Sequence, residues 1–190
     1  MDKEIRQKAS EVAAKFGIEK AVLLAFIEVE TGGKGFDTKT GKLMIQFEPA
    51  WMKRLSPYTP SGKWSVNKVD VQSKEWEAFN DAFSKDKDSA MKATSIGLGQ
   101  IMGFHYKILG FKTVGDMWDD AKKGIENQIV QIVKFINSNP KLKKAIQEKD
   151  WFTIASIYNG SGFLQLAKRL GREPYNISMK KAYDRYVMQA

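Results

Sequence analysis

The sequence predicts a mostly helical (α+β) domain built around one central, buried helix. Three observations carry this. The stretch Ala21–Ile27 is apolar on every side, as in a helix enclosed on all faces. Apolar residues recur at helical spacing through most of the remaining chain. One short segment, Leu43, Ile45 and Phe47, alternates instead as a strand does, and predicts a small β-hairpin ending at Glu48-Pro49. At 190 residues the chain is long enough for one real core, and no repeat, low-complexity tract or linker divides it. Residues 1–190 are therefore expected to form a single domain.

Taken in order, Ile5, Ala9, Val12, Ala13 and Phe16 give an amphipathic helix over 3–16, closed by Gly17. The central helix covers roughly 19–30 and stops at Gly32 or Gly33 in the left-handed conformation. Prolines and polar residues make 55–73 a loop, with Trp64 pinning it or lining a groove. Trp76, Phe79 and Phe83 mark one helical face, and 90–94 a further short helix. Thr113 and Asp116 form a capping pair, after which an apolar stripe from Val114 to Ile136 predicts one long helix ending near Asn139-Pro140. Shorter helices follow at 142–148, 151–158, 163–170 and 178–188.

Composition excludes several kinds of chemistry. There is no cysteine, so disulfides and cysteine–zinc sites are ruled out, and the single histidine, His105, argues against a histidine-based metal site or a serine–histidine triad. No metal or cofactor is expected. The N-terminus lacks the apolar core of a secretion signal, so accumulation in the cytoplasm is expected, and no run is long enough for stable membrane insertion. The formal net charge of +9 favours polyanions, or simply a solvated basic surface. No helix is densely lined with Lys or Arg, and no aromatic–basic alternation is present, so nucleic acid is not the expected partner.

Two motifs invite chemical readings. Glu28 and Glu30 are two positions apart and point to nearly opposite sides of the helix, so at most one of them faces any given cleft. Glu30 sits at the C-terminal end of the helix, where the dipole and partial burial both disfavour its ionised form. A carboxyl kept protonated near neutral pH suits the general acid of glycoside hydrolysis. Spacing by itself, however, favours an ordinary solvated residue at a fraying helix end. Ser95-Ile96-Gly97-Leu98-Gly99-Gln100-Ile101-Met102-Gly103 looks superficially like a nucleotide loop. Its third glycine falls one position late and no lysine follows, which excludes phosphate binding.

Glu28-Val29-Glu30-Thr31-Gly32-Gly33, the Ser95–Gly103 stretch and Tyr158-Asn159-Gly160, in this order and with Ile45-Gln46-Phe47-Glu48 between, resemble the lysozyme-like superfamily. The likeness is strongest to the N-acetylmuramidase domain of phage endolysins, which is related to goose-type lysozymes and lytic transglycosylases. It covers almost the whole chain. It implies a lysozyme-like fold with a small β element beside a sugar-binding cleft. It also implies cleavage of the β-1,4 link between N-acetylmuramic acid and N-acetylglucosamine in peptidoglycan, with lysis of bacteria. The family's catalytic glutamate precedes a serine or threonine, which here makes Glu30, before Thr31, the acid. The same resemblance puts Ser95, Gly97, Gln100, Tyr158 and Asn159 in the cleft.

The expected mechanism has Glu30 protonating the leaving oxygen. A second carboxylate would activate water from the far face in an inverting reaction, with the carboxyls ~6.5–9.5 Å apart. Glu48 is the first candidate and Asp37 the second, although Glu48 also reads as a helix-start residue or a partner for Arg54. Without a second carboxylate, attack by the sugar's own 6-hydroxyl would make the chain a lytic transglycosylase. A non-enzymatic basic module binding nucleic acid or cell wall is the reading from another class. Gln100, Tyr158 and Asn159 either bind N-acetyl groups or support the fold, and Trp51, Trp64 and Phe104 either stack on sugars or pack. Partners are expected to be glycan strands, and anionic envelope polymers are further candidates. The protein is expected to be a monomer with no separate wall-binding domain, stored in the host cytoplasm until another protein opens the membrane.

Overall fold

The computed structural model describes residues 1–67 and 71–189. The predicted loop 55–73 therefore lies partly outside the described residues. The chain forms two compact units, Met1–Gly33 with Ile132 to the C-terminus, and Lys34–Gln131.

In the first unit, α1 (Lys3–Phe16) starts on Asp2, whose side chain accepts the Glu4 N–H at 2.8 Å, and closes on Gly17. Helix α2 (Lys20–Thr31) is buried from Ala21 through Ile27, as its all-round apolarity predicts, and ends on Gly32 in the left-handed conformation. Burying Val22, Leu23, Leu24, Phe26 and Ile27 contributes on the order of 10 kcal/mol, so the position of α2 is among the most strongly fixed features of this unit. The C-terminal part of α7 (Ile125–Ser138) leads to α8 (Pro140–Glu148), α9 (Trp151–Tyr158), α10 (Phe163–Leu170) and α11 (Tyr175–Val187). Helix α11 packs along α2 through Tyr175, Met179, Ala182 and Tyr186, which are buried and lie on one helical stripe. It begins three residues before the sequence pattern suggests, and the added turn includes Tyr175.

In the second unit, β1 (Ile45–Phe47) forms where the alternation predicts a strand. Its partner, however, is distant in sequence. The antiparallel register pairs Ile45 with Ile96, Gln46 with Ser95 and Phe47 with Thr94 of β2 (Thr94–Ile96). The hairpin is instead β2 with β3 (Ile101–Met102), turned at Gly97–Gln100, and the sheet order is β1-β2-β3. Only an isolated bridge, Phe36 to Leu43, forms locally. Helix α3 (Pro49–Leu55) follows β1, and α4 (Gln72–Lys85) covers the edge of β1. The Gln72 side chain exchanges two bonds with the Ile45 backbone, at 3.0 and 2.7 Å, while buried Glu75 accepts the Phe47 N–H at 2.8 Å. These bonds satisfy groups that an open strand edge would leave bare.

Two further assignments change. The short helix at 90–94 is α5 (Lys87–Lys92), and Thr94 already belongs to β2. The single long helix from 114 is two, α6 (Val114–Lys122) and α7, because Gly124 adopts a φ of +155° that a helix cannot contain. The apolar stripe continues through the break, which hides it from periodicity. Trp64 is 3% exposed and donates its indole N–H to the Pro60 carbonyl at 2.9 Å, so it pins its loop.

Candidate active site

Glu30 lies in the last turn of α2. The residue retains some exposed surface, but its carboxyl is desolvated, and exposure of a residue and desolvation of its charge are separate quantities. Burial raises the pKa from the ordinary 4.5 to about 7. Two groups act against burial: the Tyr175 hydroxyl donates to Oε1, and the positive charge of Arg172 is nearby. Burial outweighs them both. The carboxyl is thus neutral in about half of the molecules at pH 7, which is where a general acid works well.

Two phenols feel this carboxyl. Tyr175 is buried, and both its burial and its bond to Glu30 raise its own pKa well above the usual tyrosine value. Tyr158, at the end of α9, packs its ring on Phe26 of α2 at 4.6 Å and on Phe135 at 5.2 Å. Burial and the charge of Glu30 likewise hold its hydroxyl protonated. Tyr175 and Arg172 were not singled out in the sequence. The stripe Tyr175, Met179, Ala182, Tyr186 is readable as a helix face, but nothing local tells that its first member reaches a residue 145 positions away.

Glu28 is engaged elsewhere, as the helix geometry predicts. Its carboxylate pairs with Arg185 and accepts from the Tyr186 hydroxyl. Thr31 returns its hydroxyl to the Ile27 carbonyl of its own helix at 3.2 Å. Asn159 is the C-terminal cap position of α9.

In the second unit, Ser95, Gly97 and Gln100 come together in the β2–β3 turn. The Ser95 hydroxyl donates to Gln100 Oε1 at 2.9 Å, and Gln100 Nε2 donates to the Gly97 carbonyl at 2.9 Å. Gly97 has a φ of +67°, and a Cβ there would sit 2.9 Å from Gln128 Oε1. That oxygen accepts the buried Leu98 N–H at 2.9 Å. The Gly-Leu-Gly-Gln sequence is therefore a tight turn bound to α7, and its Leu98 amide is already occupied rather than aimed at a phosphate.

The two candidates for a second carboxylate differ in their surroundings. Asp37 Oδ1 accepts from the Lys39 N–H, the Thr40 N–H and the Thr40 hydroxyl at 3.1, 2.8 and 2.9 Å, and these bonds hold its pKa below the usual range. It organises its own turn. Glu48 precedes Pro49 at the start of α3, but its side chain makes no capping bond, and Oε1 accepts from Gln46 Nε2 at 2.9 Å. Arg54 lies over Trp51 at 5.0 Å, and Trp51 packs against Phe104 at 4.6 Å. His105 packs at a tilt against Phe104, and burial lowers its pKa. Among the described residues no three His, Asp or Glu side chains converge as metal ligands, and no helix is long and apolar enough to cross a membrane.

The structure resembles the crystal structure of the Burkholderia AP3 phage endolysin, with a TM-score of 0.78 and 26% identity over 97% of this chain and 70% of that one. No curated protein sequence matches the chain. The family model for N-acetylmuramidase matches residues 19–187. That span takes in α2 with Glu30, the β2–β3 turn, Tyr158 and Tyr175, and by it the chain belongs to the N-acetylmuramidase family.

Proposed function

We propose that Glu30 is the general acid with which this peptidoglycan hydrolase cleaves the β-1,4 bond after N-acetylmuramic acid. Membership of the muramidase family gives the enzyme class and its substrate. The raised pKa of Glu30 is the observation that carries the residue assignment. Protonated Glu30 delivers its proton to the leaving glycosidic oxygen as the bond to the anomeric carbon breaks. The Tyr175 hydroxyl orients the carboxyl and tunes its acidity, because it stabilises the ionised form left behind. Thr31 next to Glu30, Tyr158 at the end of α9 and Asn159 at its cap are proposed to contact sugar, as are Ser95, Gly97 and Gln100 of the β2–β3 turn.

For the second carboxylate we favour Glu48 over Asp37. Asp37 is consumed by its turn, whereas Glu48 is not used as a cap. It would take the proton of the attacking water, giving a product with a free reducing end. The +9 charge supports steering towards anionic envelope polymers. The endolysin likeness supports storage in the host cytoplasm before release to the wall.

Glu30→Gln keeps an acceptor for Tyr175 but removes the proton. It is expected to lower the rate of peptidoglycan lysis by about 10²-fold or more. The same substitution has a second signature. Between pH 4.5 and about 7 the folded chain holds a proton that the unfolded chain has released. Stability therefore falls as pH rises through that window, by at most about 3 kcal/mol, and is flat above it. The variant should lose this slope and, at pH 8, unfold at higher denaturant than the parent. Unchanged lysis refutes the assignment.

Tyr175→Phe removes a bond that lowers the pKa of Glu30. The alkaline limb of the activity profile, centred near pH 7 in the parent, is expected to move to higher pH. An unmoved limb would show that the hydroxyl has no part in tuning the acid.

Glu48→Gln is expected to abolish lysis, whereas Asp37→Asn acts mainly through loss of its turn. Mass spectrometry of the parent's products should give reducing ends. Anhydro ends with an active Glu48→Gln variant would mean that the sugar's own hydroxyl attacks.

A further inference from the structure

A groove of about 720 Å³ lies within the second unit, between the turn carrying Asp37 to Lys42 and the first turns of α4. It contains no group assigned a chemical step above except the disfavoured candidate Asp37. One wall is Trp76. Its indole N–H donates to the Leu43 carbonyl at 3.2 Å, and its ring meets Phe79 and Trp118 edge-on at 5.4 and 6.3 Å. The ring is therefore held rigidly. The Lys42 ammonium sits 5.1 Å from its centroid. Lys34 and Lys39 also line the groove.

The charge balance here is uneven. Lys34, Lys39 and Lys42 face two carboxylates on the walls, and one of these, Glu77, is already neutralised from outside the groove. Glu77 is paired with Lys63 at 2.7 Å and with Lys74 at 2.8 Å. Asp37 takes the Thr40 and Lys39 bonds of its turn on Oδ1, and the Lys39 ammonium favours its ionised form. Lys42 forms no ion pair among the described residues, and Lys39 meets only the partial pull of Asp37, so the groove keeps an excess of positive charge. A rigid aromatic wall with an excess of positive charge beside it fits a short chain that has apolar parts and carboxylates. A bare neutral sugar would use the ring but not the excess positive charge.

We propose that this groove binds the carboxylate-bearing peptide that branches from the muramic acid residues of peptidoglycan, so that the enzyme reads peptide as well as glycan. The proposal rests on peptidoglycan being the substrate, and on no role for Glu30. Carboxylates of the peptide pair with Lys39 and Lys42, and an aliphatic side chain lies against Trp76. Recognition of the peptide then sets which glycosidic bonds along a strand are presented for cleavage.

The test uses the intact protein and a synthetic stem tetrapeptide with free carboxylates, followed through the NMR signal of the Trp76 indole N–H. A fully amidated tetrapeptide and a chito-oligosaccharide are run in parallel. Neither peptide has a glycosidic bond, so the outcome is independent of catalysis. The free-carboxylate peptide is expected to shift the Trp76 signal in a saturable way. The amidated peptide should bind about tenfold more weakly or less, and the Lys39→Gln/Lys42→Gln protein should show the same loss for the charged peptide. Equal binding of the two peptides, no shift with either, or a shift produced by the chito-oligosaccharide alone would overturn the proposal.

Discussion

The enclosure of one carboxyl at the end of a buried helix is the feature on which the proposed chemistry depends. Water leaves the surroundings of Glu30, and the ionised form loses more than the Tyr175 hydroxyl and Arg172 restore. The result is an acid poised near neutrality. Holding it there requires a rigid support, because a helix end that frayed would rehydrate the group. The apolar shell of α2 supplies that support, with every residue from Ala21 to Ile27 buried. Helix α11 serves twice: its stripe covers α2, and the first residue of that stripe is the phenol that grips Glu30.

Glu28 and Glu30 show how two identical side chains are given different properties. They are separated by about 200° around the helix. Glu28 emerges beside Arg185 and Tyr186 and stays in a surface ion pair, which contributes at most about 1 kcal/mol. Glu30 emerges beside phenols, where the charge of Arg172 offsets only part of the cost of burial. The difference lies in which end of α11 each meets. A pair of carboxylates with opposed surroundings is a common basis for assigning acid chemistry.

Much of this was legible in the sequence. The enclosed helix, its glycine stop, the divergence of the two glutamates and the strand at 45–47 follow from patterns within a dozen residues. What failed was of longer range or hidden by continuity. The strand's partner lies about fifty residues on, and local alternation cannot name it. The break at Gly124 interrupts a helix without interrupting the apolar stripe. Tyr175, at the start of α11, and Arg172, in the loop just before it, act on α2 across a contact that no spacing encodes. The spacing of the Ser95–Gly103 motif argued against phosphate chemistry, but the binding of its turn to Gln128 needed the fold.

The account depends on the protonation of one side chain, which can be observed directly. With ¹³C-labelled glutamate, the Glu30 carboxyl signal, identified by its loss in Glu30→Gln, is followed across pH 3 to 9. A midpoint near 7 is the predicted result. A midpoint near 4.5, the ordinary value for glutamate, would contradict it, because a carboxyl ionised at neutral pH has no proton to give.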